Sequence, residues 1–251
     1  GLDWFLQVES KEATSCSVTS DSDEGSFDIN EDKTLTSETG SCFSLARDGY
    51  WLKISPSCYP EEFKISCDKS FQTNLIFKKQ GSNIFHVAEN TEGASAEGET
   101  TASVNSFCFS NPGSSDCDYE GSLWSSFVLY DSKDVSPFIP YLVTLKDDYS
   151  EFLPEAFLYY ITANNDFKNE VFQKQKDETY WDFSGDKFYD TAVALMPFQY
   201  GDPIAKQNAK EWLLEPGVQE DSGCWNNLAN TGFILSTVWP RQFSPAQDSG
   251  T

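Results

Sequence analysis

At 251 residues, with 39% hydrophobic and 15% aromatic side chains, the chain can bury one large core or two smaller ones, and its composition excludes a disordered polymer. Its formal charge of -23 is shared almost evenly, with a net -11 over residues 1–117 and -12 over residues 118–251. Such a field repels phosphate backbones and anionic lipid, which argues against nucleic acid and membrane surfaces as partners and leaves cations, Ca²⁺ among them, admissible. No apolar run approaches the ~18 residues a membrane span requires.

The start at Gly1 and the single methionine, Met196, suggest that a leader or a preceding segment has been removed. Cys16, Cys42, Cys58, Cys67, Cys108 and Cys117 crowd the first half, and Cys224 stands alone near the end. That arrangement reads as three disulfides and one free thiol, in an extracellular or cell-surface setting. Local spacing favours Cys58 with Cys67 and Cys108 with Cys117, leaving Cys16 with Cys42, although other pairings stay open. No pair has the CxxC spacing of a zinc or redox site.

From Asp3 to Phe109 the hydrophobic signal alternates. Trp4, Leu6 and Val8 begin it, followed by Cys16 and Val18, Phe27 and Ile29, and the run Trp51 to Ile54. The runs Phe63 to Cys67, Asn74 to Phe77, Ile84 to Val87, Ala102 to Val104 and Phe107 to Phe109 continue it. Turn signals such as Asp48-Gly49 separate them, so residues 1–117 are predicted to form a disulfide-stapled antiparallel β-sandwich. Residues 89–101 read as a mobile loop or a polar β-turn excursion.

After the turn at 111–117 the period becomes helical. Leu123, Trp124, Phe127 and Val128 recur at three and four residues, as do Phe138, Tyr141, Leu142 and Leu145. Pro154 opens another helix, and further helical stretches fall at about 167–176, 187–199, 203–215 and 228–239. The expected fold class is therefore α+β, with about seven short helices over 118–242 and a tail over 243–251.

Two stretches of this half repeat. Gln175 and Trp181 precede the segment Asp190-Thr191, and Gln219 and Trp225 precede Asn230-Thr231, with the Gln and Trp positions each offset by 44 residues. A degenerate third echo runs from Asp118 to Trp124. This Gln-x-x-x-Gly-x-Trp pattern resembles the QW repeat of the squalene-hopene cyclases and the related prenyltransferase-like repeats. The second copy matches fully, while the first carries Thr179 where the motif has Gly. The resemblance covers residues 118–240 and implies a partial α/α-toroid. Gln175 and Gln219 would meet helix N-termini and stack on Trp181 and Trp225, with Asp190 and Asn230 placed as N-caps. With its β domain, the chain is also similar to archaeal-type secreted proteins that carry such repeats.

The residues that make this superfamily catalytic are missing. Asp131 with Asp134, and Asp147 with Asp148, do not form the Asp-x-Asp-Asp pattern of the cyclases. Asp221 and Cys224 lack the histidine of a prenyltransferase Zn²⁺ site, since the one histidine, His86, lies in a predicted strand. His86 likewise argues against a nucleophile triad. Asp28-x-Asn30-x-Asp32 starts like a Ca²⁺ loop but has Lys33 where the loop glycine belongs. No cofactor is expected. The chain reads as a non-catalytic extracellular structural protein: a cell-surface or filament subunit, or an adhesin, that self-associates as a homo-oligomer. The alternative is a ligand-binding module, or a degenerate cyclase-like enzyme, that holds an isoprenoid, lipid or glycan on an aromatic face of Trp124, Tyr159, Tyr160, Phe188 and Trp225.

Overall fold

A computed structural model describes residues 2–38, 40–88, 91–113 and 116–241. The tail expected over 243–251 lies outside the described residues. The fold is α+β, with strands followed by helices. It divides into two compact units, Gly1–Phe107 with Ser136–Thr144, and Cys108–Val135 with Leu145–Thr251.

The first unit holds two antiparallel sheets. Strands β1 (Leu2–Ser10), β5 (Phe43–Ala46), β6 (Trp51–Ile54), β8 (Phe71–Lys79), β9 (His86–Val87) and β10 (Glu92–Ala94) make one sheet, with β1 between β8 and β6. Strands β2 (Thr14–Thr19), β3 (Glu24–Ile29), β4 (Leu35–Glu38), β7 (Glu62–Cys67) and β11 (Glu99–Ser103) make the other. Trp4, Leu6, Val8, Leu52 and Ile54 from the first sheet join Val18, Phe27, Ile29, Phe63 and Ile65 from the second in one buried core. Each such side chain withdrawn from water contributes roughly 1.5–3 kcal/mol, which is what presses the two sheets together.

Strands β4 and β5 lie outside the runs located by alternation; β4 has a single apolar residue, Leu35. The segment read as a mobile loop or polar turn excursion holds two strands instead, because its polar residues find ladder partners: β10 pairs with β8 in one sheet and β11 with β7 in the other. Of Ile84 to Val87, only His86 and Val87 pair. Phe107 to Phe109 forms no strand; Phe107 instead donates its backbone N–H to Pro137 O (2.9 Å) and packs on the Phe138 ring.

The disulfides are Cys16–Cys67, Cys42–Cys58 and Cys108–Cys117. Only the last agrees with the pairing favoured by spacing. The register decides the other two: Cys16 and Cys67 lie directly opposite each other on β2 and β7, 4.1 Å apart at Cα. An antiparallel pair at that separation is within disulfide reach, whatever the distance along the chain. Cys42 then takes Cys58, which lies in the 3₁₀ turn Pro56–Cys58.

The helices are α1 (Tyr119–Leu129), α2 (Ile139–Leu145), α3 (Pro154–Thr162), α4 (Asn165–Gln173), α5 (Lys187–Leu195), α6 (Ile204–Leu213) and α7 (Leu228–Val238). Their starts carry the signals of the chain: Asp118 caps α1 by accepting Gly121 N–H (2.9 Å), Pro154 opens α3, and Asn164 caps α4. Helix α2, grouped mainly with the first unit, follows the 3₁₀ turn Ser136–Phe138. In the second unit α1 packs on α3, α3 on α4 and α5, and α5 on α7.

Two buried charges lock this unit. Glu155, fully buried in the first turn of α3, accepts from Lys174 Nζ (2.7 Å), while Lys146 bridges Glu170 (2.7 Å) at 3.8 Å from the same Glu155 oxygen. Burial works against the Lys146 charge, but Glu170 and Asp147 hold its pKa above the ordinary lysine value. Lys206 is buried as well, and it donates to the carbonyls of Phe198, Gln199 and Gly201. Burial, with nearby Lys210, lowers its pKa.

Candidate functional site

The repeat residues converge on backbone groups. Trp181 Nε1 donates to Val171 O (2.8 Å), and Trp225 Nε1 donates to Leu213 O (2.8 Å). Both acceptors belong to the last four carbonyls of a helix, α4 and α6, which have no partner within the helix. The backbone N–H of each tryptophan donates to the threonine hydroxyl of the following helix, Thr191 (3.1 Å) or Thr231 (2.9 Å). One Trp-Thr pair thus ties an outgoing helix, a loop and an incoming helix together, twice.

Asp190 and Asn230 are not the N-caps that the resemblance implies. Helix α5 begins earlier because Asp186 accepts from Phe188 and Tyr189 N–H, and α7 because Asn227 accepts from Asn230 N–H. Asp190, buried inside α5, receives Phe183 N–H (2.6 Å), Ser184 N–H (2.8 Å) and Ser184 Oγ (2.8 Å), so it fastens the loop before the helix. Asn230 Nδ2 donates to Asp186 Oδ2 (2.8 Å), a direct tie between the two copies. Gln175 Nε2 reaches Ala205 O in the first turn of α6 (2.9 Å), as a donor to a carbonyl. Among the described residues Gln219 Nε2 donates only to Gly223 O of its own loop (3.1 Å).

The five aromatics proposed as one lining separate into distinct clusters. Tyr159 stacks on Phe198, Phe188 on Trp212, and Trp225 on Trp239. Trp124 and Tyr160 do share a cluster, but with Phe127, Phe157, Tyr189 and Phe233. It draws on α1, α3, α5 and α7 and is half-buried except at Phe157, which is fully covered. Burial raises the pKa of Tyr189, aided by Glu120, and that of Tyr160, aided by Asp131.

The acidic candidates do not converge. Asp131 and Asp134 are exposed in the turn after α1, and Asp147 is exposed and pairs with Lys146. Cys224 is a half-buried free thiol, and His86 stacks on Phe77 in the first unit. In the stretch that starts like a Ca²⁺ loop, Asp28 accepts from Ser15 Oγ, Asn30 donates to Thr34 Oγ1, and Asp32 accepts from Thr34 N–H and Oγ1. Each ligand candidate is thus engaged locally, and Lys33 takes the left-handed conformation (φ 69°) that favours glycine. The one metal-like grouping among the described residues, Cys42, Cys58 and Glu61, has both sulfurs in a disulfide.

A cleft that sequence reasoning missed opens in the first unit. It measures about 330 Å³ and is lined by Gln7, Val8, Glu9, Lys33, Arg47, Tyr50 and Trp51. Gln7 and Glu9 alternate on β1 with the core residues Leu6 and Val8, so they stand on the outer face of the sheet. Arg47, one of two arginines in the chain, lies over the rings of Trp51 (5.7 Å) and Phe85 (5.2 Å). Among the described residues its guanidinium has no ion pair. Three successive residues, Arg47 (φ 53°), Asp48 (φ 57°) and Gly49 (φ 89°), are left-handed, and only the last is a glycine. A run of this kind stores strain that the surrounding fold must offset, as binding sites often do.

No protein-family model, curated protein or solved structure matches this chain. No helix among the described residues is long and apolar enough to cross a membrane.

Proposed function

We propose that the protein is a non-catalytic structural protein of the cell exterior, whose helical unit is a scaffold of the α/α-toroid kind that assembles with further copies of itself. The observation that carries this reading is the unequal state of the two repeat copies. Gln175 reaches forward to Ala205 of α6, the helix that follows α5, whereas Gln219 donates to Gly223 O of its own loop. On α7 Leu228 and Leu235 are 85% and 47% exposed, and Leu214, at the end of α6, is 56% exposed. A helix from a second copy would cover them in the way α6 serves the first copy, and a contact between unlike surfaces of identical chains propagates into a filament. The three disulfides support an oxidising, extracellular setting.

Sedimentation velocity across a wide concentration range, with electron microscopy of the same samples, tests the reading. Filaments or ordered layers are expected, and Leu228→Glu should dissolve them. A wild-type chain that stays monomeric at the highest concentration overturns it. The alternative, an apolar ligand held on the helical unit, is favoured by the half-buried cluster around Trp124 and Phe233. Quenching of tryptophan fluorescence by an isoprenoid would select it.

A further inference from the structure

We propose that the cleft beside Arg47 binds a carboxylated sugar, a uronic-acid residue of an acidic glycan, so that the sandwich carries a recognition site separate from any assembly surface. Charge sets the ligand's sign. Arg47, Lys33 and Glu9 are the charged residues of the lining, which leaves it one positive charge in excess within a chain of net charge -23. A single carboxylate balances that excess. Arginine is the cation suited to it, because the planar guanidinium meets a carboxylate through two parallel N–H donors.

The lining is also preorganised. Lys33 Nζ is fixed by donating to Ser10 O (3.0 Å) and Lys11 O (2.8 Å), which leaves its third proton for a ligand. Gln7 donates to Glu9 Oε1 (2.7 Å) and accepts from Asn74 Nδ2 (3.3 Å). The Glu9 carboxylate is thereby held in place with acceptor sites remaining for sugar hydroxyls. Packing of Arg47 against Trp51 and Phe85 holds the guanidinium in position, at the cost of the left-handed turn 47–49. Tyr50, 45% exposed, and the half-buried Trp51 offer ring faces for the apolar face of a sugar, and the cleft volume lies at the small end of the ~300–1,000 Å³ typical of ligand pockets. Neutral sugars would use the rings and Glu9 but would leave the guanidinium without a partner.

Isothermal titration of the whole chain with a trigalacturonate, its methyl ester and inorganic phosphate decides the matter. The acid is expected to bind, and both the ester and Arg47→Ala to weaken binding by about tenfold or more, with the melting curve of the variant nearly unchanged. Arg47→Lys, which keeps the charge and loses the fork, should fall between. Equal binding of acid and ester, undiminished binding by Arg47→Ala, or phosphate binding as well as the uronate overturns the proposal. So does an absence of uronate binding, which leaves the concentration dependence of assembly untouched and so separates the two readings.

Discussion

In the helical unit the polar side chains that recur with the repeat find their partners inside the fold: Trp181 and Trp225 on helix-end carbonyls, Thr191 and Thr231 on tryptophan amides, Asp190 on the loop before its own helix. On the outer face of the sandwich the reverse holds. Arg47 is stacked and, among the described residues, has no ion pair, in a turn that costs conformational energy, beside a carboxylate with acceptor sites to spare. Polar groups satisfied internally describe architecture, while polar groups fixed in place and left unmatched describe recognition.

The contrast can be broken at each of its parts. The largest loss is expected on replacing Cys16 and Cys67 with alanine, since the 51-residue separation they span gives a loop-closure contribution of about 4 kcal/mol. Urea unfolding would show it as a lower midpoint for the sandwich. Glu155→Ala should cost at least about 3 kcal/mol, because it leaves Lys174 and Lys146 partly buried without their shared carboxylate. Helical circular dichroism during unfolding reports on that change.

A double-mutant cycle on Asp186 and Asn230 sharpens the claim that the two copies are tied directly. A coupling of about 1 kcal/mol is expected from a part-buried bond to a charged group. The smallest effect is one of pH. The Asp23 carboxyl is held below its ordinary value of 3.8, chiefly by Cys42 N–H. Its contribution is fully present above that value and disappears as pH falls through the lowered one. The stability difference between wild type and Asp23→Asn should therefore shrink on acidification below about pH 3.8, as measured by thermal melts at several pH values.

Much of this organisation was legible in the chain. Period-two alternation located β1, β2, β3 and β7, and the change to helical spacing located all seven helices among the described residues, because amphipathic burial writes its period into the sequence. The tryptophans of the repeat were recognisable by spacing, but the caps were not. Asp186 and Asn227 precede the motif residues by three or four positions, and either of two nearby side chains could have begun the helix. The Cys16–Cys67 pair depended on strand register, a long-range property. The Arg47 cleft was illegible for a similar reason: β1, the loop at Lys33 and the turn before β6 assemble it from three separate segments, and the only local signal was the Asp48-Gly49 turn.

The central claim, that recognition belongs to the sandwich and architecture to the helices, is tested most directly by hydrogen–deuterium exchange with and without a bound oligouronate. Slowed exchange at residues 7–9 and 46–53, with residues 187–195 and 228–238 unchanged, is the predicted result. Protection confined to the helices would contradict it.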